Sequence, residues 1–209
     1  VLLEAAWSRD GWQRAQRVTT QPPRVDLVIR AFPSPTLAAA LDSVCVYWPV
    51  GVNGNRVVLV LDDDHEGVPT DDLLRGTCLV ERYGAFVDVV FEEYDRAIPL
   101  GGPAFNQVSN LYADRYVDAA ADYVAISDSD AYLQTAATPD LFFRRGHLLF
   151  VLYKTWQQAL WKYPNAKLSG LPYPGNLMVR LPVAFPRDAV RATRRVVYEH
   201  WAHPSWQPP

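Results

Sequence analysis

Between Val25 and Ser127 the chain alternates short, largely apolar β-rich runs with longer stretches in which apolar residues recur three or four positions apart. Runs of this kind read as strands buried on both faces, and the wider spacing reads as helices with one apolar stripe. Val25 to Ala31 is the first run. Pro33-Ser34-Pro35 then opens a helix on which Leu37, Leu41, Val44, Cys45 and Trp48 recur at helical spacing. Arg56 to Leu61 is a second strand, ending in Asp62-Asp63-Asp64. A helix follows from Thr70, capped by that residue, with Asp71 and Asp72 in its first turn and Gly84 as its close. Phe86 to Phe91 is the third strand, and a loop with Pro99, Gly101, Gly102 and Pro103 leads to a helix carrying Phe105, Val108, Leu111, Tyr112 and Tyr116. Tyr123 to Ser127 is the fourth strand. Beyond it, Thr138-Pro139-Asp140 reads as a helix start, Leu148 to Lys154 and Leu177 to Leu181 as strands, and Pro186 to about Trp201 as a final helix.

Apolar strands alternating with helices predict an α/β fold, a mostly parallel central sheet flanked by helices. With 209 residues, 49% of them apolar, the chain suits one domain with a substantial core. Residues 1–23 are polar, bear Trp and stop at Pro22-Pro23, and are expected to form a peripheral arm. A net charge of -3 argues against a nucleic-acid surface built on phosphate neutralisation. The arginine-rich end formed by Arg180, Arg187, Arg191, Arg194 and Arg195 fits either a solvated helix face or a surface for an anionic ligand. The two cysteines, Cys45 and Cys78, fall within apolar helical patterns and read as buried free thiols, leaving the redox compartment open. No apolar run reaches the length of a membrane span, and the N-terminal stretch has no signal-peptide pattern. Opening on Val1 and stopping at Pro208-Pro209, the chain fits an excised domain. Its expected location is the cytoplasm, or the Golgi lumen if an anchor precedes the fragment.

Asp128-Ser129-Asp130 follows the fourth apolar run directly, which puts two carboxylates at a strand end. Magnesium and manganese take oxygen ligands, usually one or two carboxylates completed by substrate phosphates, so the pattern fits a nucleoside-diphosphate site. A solvated Asx turn is the other reading. Parallel sheets bind ligands beyond the carboxyl ends of their strands, where Arg30 to Phe32, Asp62 to Asp64 and Asp128 to Asp130 would gather.

This order of parts, from Val25 to Phe143 and including Tyr123-Val-Ala-Ile-Ser-Asp-Ser-Asp130 and Thr138-Pro139-Asp140-Leu141-Phe142, resembles the GT-A fold glycosyltransferases. The resemblance implies a Rossmann-like GT-A fold, with residues 24–130 as the nucleotide-sugar-binding half and 131–209 as the acceptor-side half. It implies transfer of a sugar from a nucleoside-diphosphate donor, UDP-sugar favoured, to a hydroxyl of a glycan or glycoprotein. The implied cofactor is Mn2+ or Mg2+, with Asp130 as direct ligand, Asp128 touching the metal or the ribose, and Ser129 as spacer. Implied donor contacts are Arg30, Ala31 and Phe32, then Asp62, then Asn106, Gln107 and Asn110. A third metal or phosphate ligand is implied near the C-terminus, where His200 and His203 stand. An inverting enzyme would need a carboxylate base, for which Asp140, Asp188 and Glu199 are candidates and Asp188 is favoured. Trp156, Trp161, Tyr163 and Tyr173 fit either an acceptor platform or, for the two Trp, the core.

Two other functions fit parts of the pattern. One is a non-catalytic carbohydrate-binding domain of the same fold. The other is a haloacid-dehalogenase-type phosphatase, disfavoured because its Asp-x-Asp lies in the first strand and precedes Thr or Val where this chain has Tyr132. A Rossmann dehydrogenase is disfavoured because no Gly-x-Gly-x-x-Gly follows the first strand.

Overall fold

A computed structural model describes residues 23–31, 34–62, 74–92, 108–138, 142–144, 147–148 and 182–201. Their centre is a five-stranded sheet of β1 (Val25–Ala31), β2 (Val57–Asp62), β3 (Val87–Glu92), β4 (Tyr123–Asp128) and β7 (Val183–Pro186), in the order β3-β2-β1-β4-β7. The first four strands are parallel, and β7 runs antiparallel to β4. The fold is therefore α/β and Rossmann-like, with the order reversing between β1 and β4. β5 (Phe143–Arg144) and β6 (His147–Leu148) form a separate two-stranded pair.

All seven residues of β1 are buried, which is why its sequence shows no alternation. One sheet face carries Leu27, Ile29, Leu59 and Leu61 against Leu37, Leu41, Val44 and Trp48 of the first helical layer. The other carries Val28, Val58, Val60, Val124 and Ile126 against Ala113, Val117 and Ala121.

Helix α1 (Pro35–Tyr47) begins with a proline, whose missing N–H is no loss in a first turn. It ends where Trp48 turns to extended backbone while its N–H returns to Val44 O. The helix expected to run to Gly84 is interrupted. Gly76 takes a positive φ of 83°, and Thr77 restarts the chain as N-cap of α2 (Cys78–Tyr83). Glycine adopts that backbone without steric cost, so the break falls where the sequence permits it. Gly84 is the C-cap of α2 as expected.

The cysteines correct a second expectation. Cys45 and Cys78 are not free thiols; they form a disulfide with Cα atoms 5.9 Å apart, joining α1 to α2. Asp42, one turn before Cys45, accepts the Cys78 N–H at 2.9 Å and so satisfies a donor at the α2 start.

The helix expected before the fourth strand is broken as well: helical residues 108–110 and α3 (Ala113–Tyr116) flank a turn at 111–112, where Tyr112 leaves helical geometry at φ -99°, ψ 1°. The last helix, α4 (Arg187–Trp201), matches its expected span. Its Arg194 is neither solvated nor turned to a ligand. It is buried, bonded through both terminal nitrogens to Asp114 and through Nη1 to Leu111 O at 2.9 Å, with Tyr112 5.0 Å beneath the guanidinium. The helix start at Thr70, most of the expected strand Leu148 to Lys154, the strand Leu177 to Leu181, and the Trp156 to Tyr173 aromatics lie outside the described residues. Among the described residues no helix is long and apolar enough to cross a membrane.

Candidate functional site

The register of the parallel strands defines the site. Arg30 of β1 lies level with Val60 of β2 and with Asp128 of β4, while Asp62 lies level with Glu92 of β3. Residues level with one another on parallel strands point to the same sheet face, and every second residue shares that face. Arg30, Glu92 and Asp128 therefore line one face at the carboxyl edge, with Val28, Val90 and Ile126 beneath them.

Among the described residues β7 pairs with β4 from Tyr123 to Ile126, so Ser127 and Asp128 lie past the last of these pairs. Asp128 closes the strand, and Ser129 and Asp130 form the turn that follows, closed by the Ala131 N–H on Asp128 O at 3.2 Å. Both carboxylates reach solvent. The protein around the strand end still withholds enough water to raise the Asp128 pKa above the ordinary carboxylate value, and repulsion from Asp130 adds to the rise. The segment after the turn is tied down on α1, where Ser43 Oγ accepts the Leu133 N–H at 3.0 Å and Tyr47 O accepts the Ala137 N–H at 2.7 Å.

Arg30 does not face Asp128. Its guanidinium is buried and bonded to Glu92, two strands away, and Glu92 also accepts the Tyr116 hydroxyl. Burial foremost, then the bond to Glu92, pushes the Tyr116 pKa well above its usual value, so this hydroxyl is a fixed donor. Glu92 and Tyr116 escaped the sequence reading. The available signal was that the third apolar run, like the second and fourth, ends in an acid.

The other anticipated residues scatter. Ala31 ends β1 with its side chain in the α1-side core, so it offers a ligand only its backbone. Asp62 ends β2 at the right edge, with its side chain outside the described residues. Asn110 lies half-buried at the end of the helical residues 108–110, before α3. Phe32, Asn106, Gln107, Asp140 and His203 lie outside the described residues. Asp188 is not brought to the acid pair. It sits exposed in the first turn of α4, just after Pro186, which pairs with Tyr123 at the opposite end of β4, about 17 Å along the strand from Asp128. Its neighbour there is Arg191, 3.5 Å away. Because Arg187 touches Asp118 O and Arg194 touches Leu111 O, α4 runs back toward the carboxyl edge. It carries the backbone of His200 about 9 Å further that way.

Two carboxylates with solvent access make a partial oxygen shell of the kind magnesium and manganese complete with phosphate and water. No third acidic, His or Cys side chain joins them in a metal-binding group among the described residues. Among those residues no Lys, Arg or His forms an ion pair with either.

No known protein family matches the chain, and no curated protein matches it either. Among solved structures it is similar to the mannosyltransferase PcManGT from Pyrobaculum calidifontis in complex with GDP-Man and Mn2+, at 20% identity and a TM-score of 0.38. The likeness covers 64% of this chain and 39% of that one. A likeness so slight leaves the site to be read from its own geometry.

Proposed function

We propose that the chain is a metal-dependent glycosyltransferase of GT-A fold, taking its sugar from a nucleoside-diphosphate donor and passing it to a hydroxyl of a carbohydrate or glycoprotein. The supporting observation is the pair Asp128 and Asp130 on the carboxyl end of β4, beside the reversal of strand order, with no described cation against them. Doubly wound sheets bind nucleotides at that point. Asp130 and Asp128 would hold Mn2+ or Mg2+ against the donor diphosphate, where the ion neutralises charge on the departing phosphate as a Lewis acid.

The remaining work falls to the chain itself. The backbone end of β1 and the edge of β2 at Asp62 form a floor for the nucleoside. The anchoring of Leu133 and Ala137 on α1 holds the segment leading from the donor half, 24–130, into the acceptor-side half, 131–209. The Cys45–Cys78 bond favours the luminal of the two expected locations, since disulfides persist in oxidising compartments.

Manganese-dependent turnover of a panel of UDP-, GDP-, ADP- and dTDP-sugars, for the parent chain and Asp130→Ala, tests the reading. The expected result is release of one nucleoside diphosphate by the parent and its loss in the variant. Absence of both turnover and manganese-assisted nucleotide affinity in the parent would end the reading.

A further inference from the structure

Two aromatic side chains among the described residues are exposed, Phe91 at 50% and Tyr132 at 47%, and both stand toward the carboxyl edge of the sheet. Tyr132 is the one beside the acid pair. The aromatics that flank it in sequence pack on other rings: Tyr123 meets Phe143 edge-on at 4.7 Å, and Phe142 meets Trp48 edge-on at 5.7 Å. Tyr132 joins no ring and makes no hydrogen bond among the described residues.

Its backbone, by contrast, is held on both sides. The Ala131 N–H closes the turn on Asp128 O at 3.2 Å, and the Leu133 N–H donates to Ser43 Oγ of α1 at 3.0 Å. Exposure alternates along this stretch, with Asp130, Tyr132 and Gln134 outward and Ala131 and Leu133 partly covered, Leu133 against the α1-side core. Alternate residues of an extended segment share a side, so Tyr132 follows Asp130 on the outward side with Cα atoms about 6.6 Å apart. A ring presented to solvent from an anchored backbone loses little freedom when something settles on it.

We propose that Tyr132 is the platform for the donor's sugar ring, stacking on its C–H face while a cation on Asp128 and Asp130 holds the diphosphate. This rests on the proposed function's reading of those carboxylates as a donor site. The sugar is bonded directly to the diphosphate, so it lies next to the cation, whereas the base is set off by the ribose and runs toward the β1 and β2 edge. Tyr suits the task because its face is apolar and its hydroxyl end stays wet. Covering one sugar face is worth about fivefold in affinity.

The test is calorimetric titration, with Mn2+ present, of UDP-glucose, GDP-mannose, ADP-glucose and dTDP-glucose, each beside its own nucleoside diphosphate. Tyr132→Ala is expected to weaken the sugar-bearing form about fivefold and to leave the bare diphosphate unchanged. Tyr132→Phe should keep the parent ratio, since the ring remains. Phe91→Ala should also keep it, because β3 lies three strand spacings, about 14 Å, from β4. Tyr132→Gln serves in place of Tyr132→Ala if that variant does not fold. A parent chain that binds none of these nucleotides, or only the bare diphosphates, overturns both the donor-site reading and this inference. With a binding parent, an unchanged ratio in the Tyr132 variant overturns the inference alone. So does equal weakening of both forms, a Tyr132→Phe loss as large as that of Tyr132→Ala, or the same selective loss in Phe91→Ala.

Discussion

Among the described residues, both edges of the central sheet hold acids and treat them in opposite ways. At the amino edge each acid has an assigned donor. Asp26, fully buried, takes Arg24 through both oxygens at 3.0 Å and the Arg56 N–H at 3.0 Å; Asp88 takes the Arg56 guanidinium; Asp122 takes the Arg24 N–H at 2.9 Å; Asp118 takes the Ala120 N–H at 2.7 Å. At the carboxyl edge Arg30 bonds Glu92, and among the described residues no cation pairs with Asp128 or Asp130, which repel each other. A closed charge network fixes structure, whereas an open one stores repulsion that a cation from outside can relieve. The difference locates function at one end of the same sheet.

The largest expected effect comes from breaking the closed edge. Asp26→Ala leaves Arg24 without its main partner in a mostly buried position and should cost about 3–5 kcal/mol in urea unfolding. Mn2+ affinity of the fraction that stays folded should not change. Breaking the open edge should do the converse: Asp130→Asn is expected to lower turnover on the order of 10²–10³-fold while leaving the urea midpoint within experimental error. A variant of the acid pair that unfolds the protein would erase the contrast.

Removing the Cys45–Cys78 bond, by double substitution with Ala, touches neither edge. Closing a loop with a sequence separation of 33 is worth roughly 3.7 kcal/mol in the chain-entropy account, usually less when measured. Thermal denaturation should therefore show a loss of stability with both edges keeping their separate behaviours.

The smallest effect is in pH dependence, and its sign differs between edges. The Ala120 N–H foremost, then Arg24, holds the Asp118 pKa below its ordinary value. Its contribution is present above the unfolded-chain pKa and is lost as pH falls through the depressed value. For Asp128 the raised folded pKa reverses this: the contribution is present below the unfolded-chain pKa and lost as pH rises through the raised value. Melting curves without metal should show Asp130→Asn gaining about 1 °C near neutral pH and nothing in strong acid. Asp118→Asn should lose a similar amount near neutral pH and nothing in strong acid.

Much of the fold was legible because burial on both faces leaves strands dominated by apolar residues, as in β1, β2 and β4, while β3 at the sheet edge is half-exposed and was marked by its Val and Phe residues. α1 and α4 were equally plain, one opening on Pro35 and the other following Pro186. The break at Gly76 was concealed by a helical pattern on either side of it. β7 was missed because four residues ending in proline carry little strand signal, and its antiparallel direction is set only by pairing with β4. The cysteine pairing was equally hidden, since it depends on α1 and α2 packing side by side. At the site, the position of Asp128 and Asp130 followed from the end of an apolar run. The bond between Arg30 and Glu92 did not, because residues on β1 and β3, separated by β2, meet only once the sheet is assembled.

Asp114 and Arg194 lie 80 positions apart along the chain and share a buried bond. A polypeptide leaving the ribosome presents that aspartate long before its guanidinium has been made, and a lone carboxylate cannot be shut away from water cheaply. All four parallel strands are thus synthesised while α3 still has reason to stay loose. Translation arrested ahead of Arg194 should yield an open, protease-sensitive species, and completion of the final helix is the event that seals the molecule.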